Sequence, residues 1–130
     1  MENYLAQSTH GKATKSPSEF KELIKQFLKY FKGNLKRFDF PLDLSLGTPF
    51  QQKVWKKLTT IPYGKTRSYK WIASAINNPQ ASRAVGNANG RNPLAILIPC
   101  HRVIRENGEL GGYTGGINIK RFLLNLEQAN

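Results

Sequence analysis

Two stretches of the chain open in the same way, Ser16-Pro17-Ser18-Glu19 and Thr48-Pro49-Phe50-Gln51. Each sets a hydroxyl ahead of a proline, with Glu or Gln three residues after the hydroxyl, the pattern of a capping box with proline at the first helical position. The hydroxyl accepts from a backbone N–H that has no partner inside the helix, and proline's missing N–H is no loss there. This punctuation dictates helices and their starting points. After the first start, Phe20, Leu23, Ile24, Phe27, Leu28 and Phe31 recur at helical spacing until Gly33. After the second, Phe50, Val54, Trp55 and Leu58 make a core face, and Ile61-Pro62-Tyr63-Gly64 ends it. Between them Arg37–Leu46 alternates around Pro41 and reads as an extended connector, while residues 1–15 read as a disordered lead-in.

Ser68 caps a third predicted helix with Trp71, Ile72, Ala75 and Ile76 buried, and Asn77-Asn78-Pro79 is a turn. Ala81–Asn89 then forms a small-residue helix. Two short helices across a tight turn resemble a helix-turn-helix, although an ordinary αα-hairpin has the same pattern. Farther on, Asn107-Gly108 signals a β-hairpin turn within Val103–Leu110. Gly111–Gly116 is a backbone-exposing loop, and Ile119, Phe122, Leu123 and Leu126 mark a closing helix. The expected fold is mainly α (α+β): a winged-helix-like domain with a helix-turn-helix and a short β-hairpin. It divides into a short N-terminal segment, 1–46, and a larger domain, 47–130, which holds the helix-turn-helix and the hairpin turn.

Charge narrows the partners. The chain of 130 residues carries a formal +12, and every acidic residue lies outside Leu44–Arg105, a window holding ten Lys and Arg. A field of one sign attracts polyanions, so nucleic acid is the expected partner, against the blander reading of a solvated basic face. No apolar run approaches the roughly 20 residues that span a bilayer, and Met1–Lys15 lacks the apolar centre of a secretory signal. The expected location is intracellular and cytoplasmic, wherever the DNA lies. No membrane partner is expected.

Cys100 is the only cysteine, which excludes an internal disulfide and a multi-thiolate zinc site. It stands in Pro-Cys-His-Arg-Val, just after the apolar run Leu94–Ile98. By itself it reads equally as a small buried hydrophobe or as a nucleophile. The nucleophilic reading needs a base, and His101 is adjacent. Neighbouring side chains on extended backbone point apart, so proton transfer through a water is expected. A histidine base gains from a carboxylate partner. Glu106 and Glu109 flank the turn and are expected to face solvent, which leaves Glu127 as the candidate. His10, in the lead-in, is set aside.

Taken together, GTPFQQKV (47–54), IPYG (61–64), Ser68-Tyr69, ASRAVG (81–86), NGRNPLAILIPCHRV (89–103) and GYTGG (112–116) resemble the O6-alkylguanine-DNA alkyltransferases. These are the methylated-DNA–protein-cysteine methyltransferases. The resemblance runs from about Glu22 to Glu127, in order. It implies single-turnover DNA repair: an O6-alkylated guanine is flipped out of the duplex and its alkyl group passes to Cys100. It further implies His101 as water-mediated base, Glu127 orienting it, Asn92 bracing the turn, and Tyr69 donating a hydrogen bond to the guanine. Tyr113 would wall the pocket, Thr114 would reach the guanine O6, and the carbonyls of Cys100 and Val103 would receive the exocyclic amine. Arg83 would be the finger that fills the gap left in the minor groove, with Ser82, Ala84, Gly86, Asn89 and Arg91 on the same DNA-binding surface. The implied partner is double-stranded DNA carrying O6-alkylguanine, met by a monomer without cofactor or metal. The alternative is a non-catalytic alkyltransferase-like protein that only binds the lesion, a branch that replaces the acceptor cysteine.

Overall fold

The computed structural model describes residues 17–130; the lead-in and the Ser16 cap lie outside the described residues. Five helices follow in chain order: α1 Pro17–Phe31, α2 Pro49–Leu58, α3 Tyr69–Ala75, α4 Ser82–Gly90 and α5 Ile117–Ala129. The capping box at Thr48 is closed on both sides, with Gln51 N–H donating to Thr48 Oγ1 at 3.1 Å and Thr48 N–H to Gln51 Oε1 at 2.9 Å. Ser68 caps α3 through the Trp71 N–H at 2.9 Å. Among the described residues no helix is long and apolar enough to cross a membrane.

The core is one cluster drawn from both sides of residue 46: Leu23, Phe27 and Tyr30 from α1 pack with Val54, Trp55, Leu58, Ile72, Val85, Ile98 and Leu123. The buried stripe of α1 is therefore Leu23, Phe27 and Tyr30, whereas Leu28 and Phe31, expected inside, are exposed. The reason is the connector. Gln26 is buried and holds it like a strand partner, its Nε2 donating to Asp39 O at 2.9 Å and its Oε1 accepting from Asp39 N–H at 2.8 Å. That pairing turns the helix toward Gln26 and Tyr30.

Two more apolar expectations fail in the same manner. Trp71 is exposed because seven-residue α3 buries its Ile72–Ala73 side, leaving the indole on the rim under the Arg67 guanidinium at 5.2 Å. On α5 the buried residues are Lys120, Leu123 and Glu127, and Ile119 and Phe122 face out. The ionic groups find partners inside, so they displace larger hydrophobes from the core face.

Val103–Ile104 (β2) pairs in parallel with Arg67–Ser68 (β1), in the register Arg67 to Val103 and Ser68 to Ile104. The expected β-hairpin is reduced to its turn, closed by Arg105 N–H to Glu109 O at 2.8 Å and Gly108 N–H to Arg105 O at 2.9 Å. The parallel ladder has a positional consequence. It sets Tyr69, which follows β1, beside the turn that precedes β2. Helices α3 and α4 pack together across the Asn77–Ala81 turn, and the Trp55 indole donates to Ala88 O at 2.9 Å, fastening α2 to α4.

Candidate active site

The Cys100 turn is built by an amide. Asn92 Nδ2 donates to Ile98 O at 2.6 Å and Asn92 Oδ1 accepts from Leu94 N–H at 2.9 Å, so one side chain closes the loop 92–98. Inside that loop buried Ile96 has φ +75°, a conformation a β-branched residue adopts only under constraint, at about 1–3 kcal/mol. Both Asn92 bonds are buried and oppose that strain. The chain leaves through Pro99 into a single 3₁₀ turn, Cys100–Arg102, which directs the three side chains into different surroundings.

His101 and Arg102 converge on Glu127. His101 Nε2 lies 2.7 Å from Glu127 Oε2, and Arg102 donates from Nε to Oε1 at 2.8 Å and from Nη2 to Oε2 at 2.9 Å. Tyr30 of α1 donates to Oε2 at 2.6 Å, and Arg102 Nη1 to Ile61 O at 2.7 Å. Burial alone would raise the Glu127 pKa, but the hydrogen bonds from His101 and Arg102 outweigh it and hold the carboxyl at about 2. Burial lowers the His101 pKa despite that carboxylate. An ionised Glu127 only accepts, so neutral His101 carries its proton on Nε2 and presents a lone pair at Nδ1. That nitrogen is buried and has no hydrogen-bond partner among the described residues.

Cys100 is itself 6% exposed. Burial pushes its thiol up, against the opposing effects of the Asn92 hydrogen bond, the Lys120 charge and the Tyr113 hydrogen bond. The resting sulfur is a protonated thiol that needs a base. Lys120, one turn-pair ahead of Glu127 on α5, is fully buried; its Nζ donates to Val103 O at 2.6 Å and Gly112 O at 3.2 Å and stands 5.9 Å from the Tyr69 ring centre. Burial lowers its pKa to about 8, with Cys100 pulling the other way. Lysine in a sequence reads as solvent-facing, so nothing in the pattern announced this residue. Arg102 and Tyr30 were missed for related reasons, although Tyr30 falls at helical spacing from Leu23 and Phe27.

In front of the turn, Tyr69, Gly86, Asn89, Gly90, Gly112, Tyr113 and Thr114 line a cavity of about 430 Å³. Burial raises the Tyr69 pKa, so its phenol is kept as a donor. Gly111, at φ +73°, is a place only glycine suits: a Cβ there would stand 2.9 Å from the Tyr69 hydroxyl oxygen. Thr114 Oγ1 donates to Gly90 O at 2.9 Å, lacing the glycine loop to the end of α4. Arg83, Ala84 and Arg91 are exposed on or next to α4, with Ser82 and Gly86 half-buried.

Two expected positions differ. Asn89 is not on the outward surface of α4; it is buried and its Nδ2 donates to Cys100 O at 3.3 Å, because the outer arc of the helix is taken by Arg83, Ala84 and Asn87. The Val103 carbonyl, expected to be open to a ligand amine, already accepts from Lys120, leaving it one lone pair. No group of three or more metal-ligating side chains occurs among the described residues.

The family model of the 6-O-methylguanine DNA methyltransferase DNA-binding domain matches residues 49–129. The methylated-DNA–protein-cysteine methyltransferase of Mycobacterium tuberculosis is 55% identical over 98% of this chain and 76% of its own length. A crystal structure of the M. tuberculosis OGT in complex with DNA superposes with a TM-score of 0.83 at 59% identity, covering 85% of this chain and 68% of that one. S. pombe Atl1, solved in complex with damaged DNA containing O6-carboxymethylguanine, is more distant: TM-score 0.55, 31% identity, 60% of this chain and 74% of that one.

Proposed function

The chain belongs to the methylated-DNA–protein-cysteine methyltransferases, and from that membership we propose how its single sulfur works. It repairs DNA by direct reversal, taking the alkyl group of an O6-alkylguanine onto Cys100 once per molecule and acting as a monomer. The observation that carries this reading is a buried cysteine followed in the same 3₁₀ turn by an imidazole fixed on Glu127 at 2.7 Å, whose buried Nδ1 has no hydrogen-bond partner among the described residues.

A base inside a duplex is out of reach, so the lesion is extruded into the cavity beside Tyr69 and Tyr113, while Arg83 fills the space it leaves. The Cys100 proton moves through a water to His101 Nδ1. Glu127, held ionised by Arg102, stabilises the imidazolium and fixes the ring. The thiolate attacks the alkyl carbon, an Sγ–C bond forms, the C–O6 bond breaks, and its electron pair stays with guanine. Tyr69 donates to the departing base and offsets its negative charge. The guanine then takes back a proton, so the alkyl ends on sulfur and the thiol proton on the base. Asn92 braces the turn, and Lys120 positions Val103 and Gly112 around Tyr69 while favouring the thiolate electrostatically. The thioether that results is stable, which is why no second turnover follows.

Intact-mass measurement after mixing with a duplex containing O6-methylguanine tests the reading. The expected result is one added methyl on the peptide holding Cys100, and none in Cys100→Ala. Repeated turnover, or binding with no change of mass, refutes it; the latter outcome would move the chain to the lesion-binding class, from which the presence of Cys100 now separates it.

A further inference from the structure

Away from the cavity beside Tyr69 and Tyr113, α2 and the turn between α3 and α4 enclose a second, open groove of about 370 Å³, lined by Lys53, Lys56, Lys57, Thr60, Ile76 and Asn77. The spacing of the lysines, i, i+3 and i+4, puts all three on one helix face, where like charges repel. Lys56 and Lys57 lie in the last turn and complement the negative end of the helix dipole, but Lys53 does not. Within the described residues none of the three is in an ion pair. The acid-free window Leu44–Arg105 surrounds them, so no carboxylate of the neighbouring sequence is available to neutralise them. The opposite case stands on α1, where Lys21, Lys25 and Lys29 share their helix with Glu19 and Glu22.

The groove is also well placed. Asn77, in a left-handed conformation at φ 63°, belongs to the turn that leads into Ser82 and Arg83, and the Trp55–Ala88 hydrogen bond joins α2 rigidly to α4. Through Asn77 the groove shares the turn that leads into α4, the helix read as facing the duplex. We propose that the Lys53–Lys56–Lys57 groove is a second phosphate-binding surface, gripping the backbone of the same duplex outside the lesion site. It rests on the reading of the chain as a DNA-repair protein and adds to it a sequence-independent hold on flanking DNA. Phosphate contacts of this kind set register and search affinity and carry no base information.

The test is a salt titration of binding to an unmodified duplex. Each neutralised phosphate contributes about −0.9 to the slope of log K against log salt concentration. The variant Lys53→Gln/Lys56→Gln/Lys57→Gln is expected to flatten that slope by about 2–3. Lys21→Gln/Lys25→Gln/Lys29→Gln, with the same loss of net charge, is expected to flatten it by less than about 1. Unfolding midpoints check both folds, and the single Lys53→Gln, expected to change the slope by about 1, serves if the triple is destabilised. Equal flattening in both triples overturns the proposal, since bulk charge would then suffice. An unchanged slope in the α2 variants also overturns it, and would reserve the groove for an acidic protein surface. A failure of methyl transfer in the unsubstituted protein strikes the repair reading alone, whereas these slopes strike the groove alone.

Discussion

Behind the sulfur and in front of it, the molecule follows opposite rules. The rear face holds His101, Arg102, Lys120 and Glu127, all buried, each with a specified partner and a shifted pKa or a bidentate bond. The front face is an open cavity lined by glycines, two tyrosines, a threonine and an asparagine, with no charged side chain. On the reading proposed above, charge is held where the reaction must move a proton, in geometry that costs no rearrangement at the moment of reaction. The cavity side is neutral, small and accessible. Losses at the rear should therefore damage fold and rate together, and losses at the front, Tyr69 excepted, should fall mainly on recognition.

The largest expected effect is on chemistry. Cys100→Ala abolishes transfer while duplex binding, measured by anisotropy, stays within about twofold; a parallel loss of binding would mean that the sulfur also supports the fold. Next is Glu127→Gln, which leaves the Arg102 guanidinium buried beside a neutral amide. It should lower stability by about 3–5 kcal/mol in denaturant unfolding and slow transfer, with little effect on DNA affinity of the folded fraction. Tyr30→Phe, which removes one of the hydrogen bonds to the same carboxylate, should cost about 1 kcal/mol, and a cost as large as that of Glu127→Gln would show the cluster to be one cooperative unit. Asn92→Ala releases the Ile96 loop and should cost about 2–3 kcal/mol, visible as a lower unfolding midpoint.

At the front, Arg83→Ala should slow repair of duplex DNA about tenfold, if the finger recovers about 1.4 kcal/mol of what extrusion costs. Alkylation by free O6-benzylguanine should fall much less, and equal losses would assign Arg83 to folding. Smallest in effect is pH. Since the His101 pKa lies below its ordinary 6.5, the transfer rate should hold level as pH falls through that value and drop only below it. The Glu127 pKa is depressed, so its contribution to stability is full above 4.5 and is lost as pH falls toward about 2. A rate that already halves near 6.5 would argue that the imidazole is solvated.

Much of this was legible along the chain. Thr48-Pro49 and Ser68 signalled helix starts because capping is a local event, decided by side chains within three residues of one another. Cys100 and His101 were singled out by their motif, Asn92 and Tyr69 by the family resemblance, and Glu127 by the scarcity of other carboxylates; the structure sets His101 2.7 Å from Glu127. What failed was helix phase. Leu28, Phe31, Trp71, Ile119 and Phe122 read as core and are exposed, while Gln26, Tyr30 and Lys120, which the sequence reading did not single out, are buried. Hydrophobicity alone sets phase only where the partner surface is apolar; here α1 faces a backbone strip and α5 faces carbonyl groups and an arginine. Asn89 was misplaced for the same reason, its amide being recruited by the Cys100 carbonyl.

By itself the sequence determined which segments coil, which sulfur is available, and that an uninterrupted basic window would meet a polyanion. All of these depend on composition or on neighbours a few residues away. Only the tertiary structure decided that Tyr30, Arg102 and Glu127, up to 97 positions apart, share one buried carboxylate, and that Tyr69 stands beside the Cys100 turn through a two-residue parallel ladder. The physical reason is that an ionic group is stable in the interior only when every partner arrives together, and that assembly is a property of packed elements, invisible to any one of them alone.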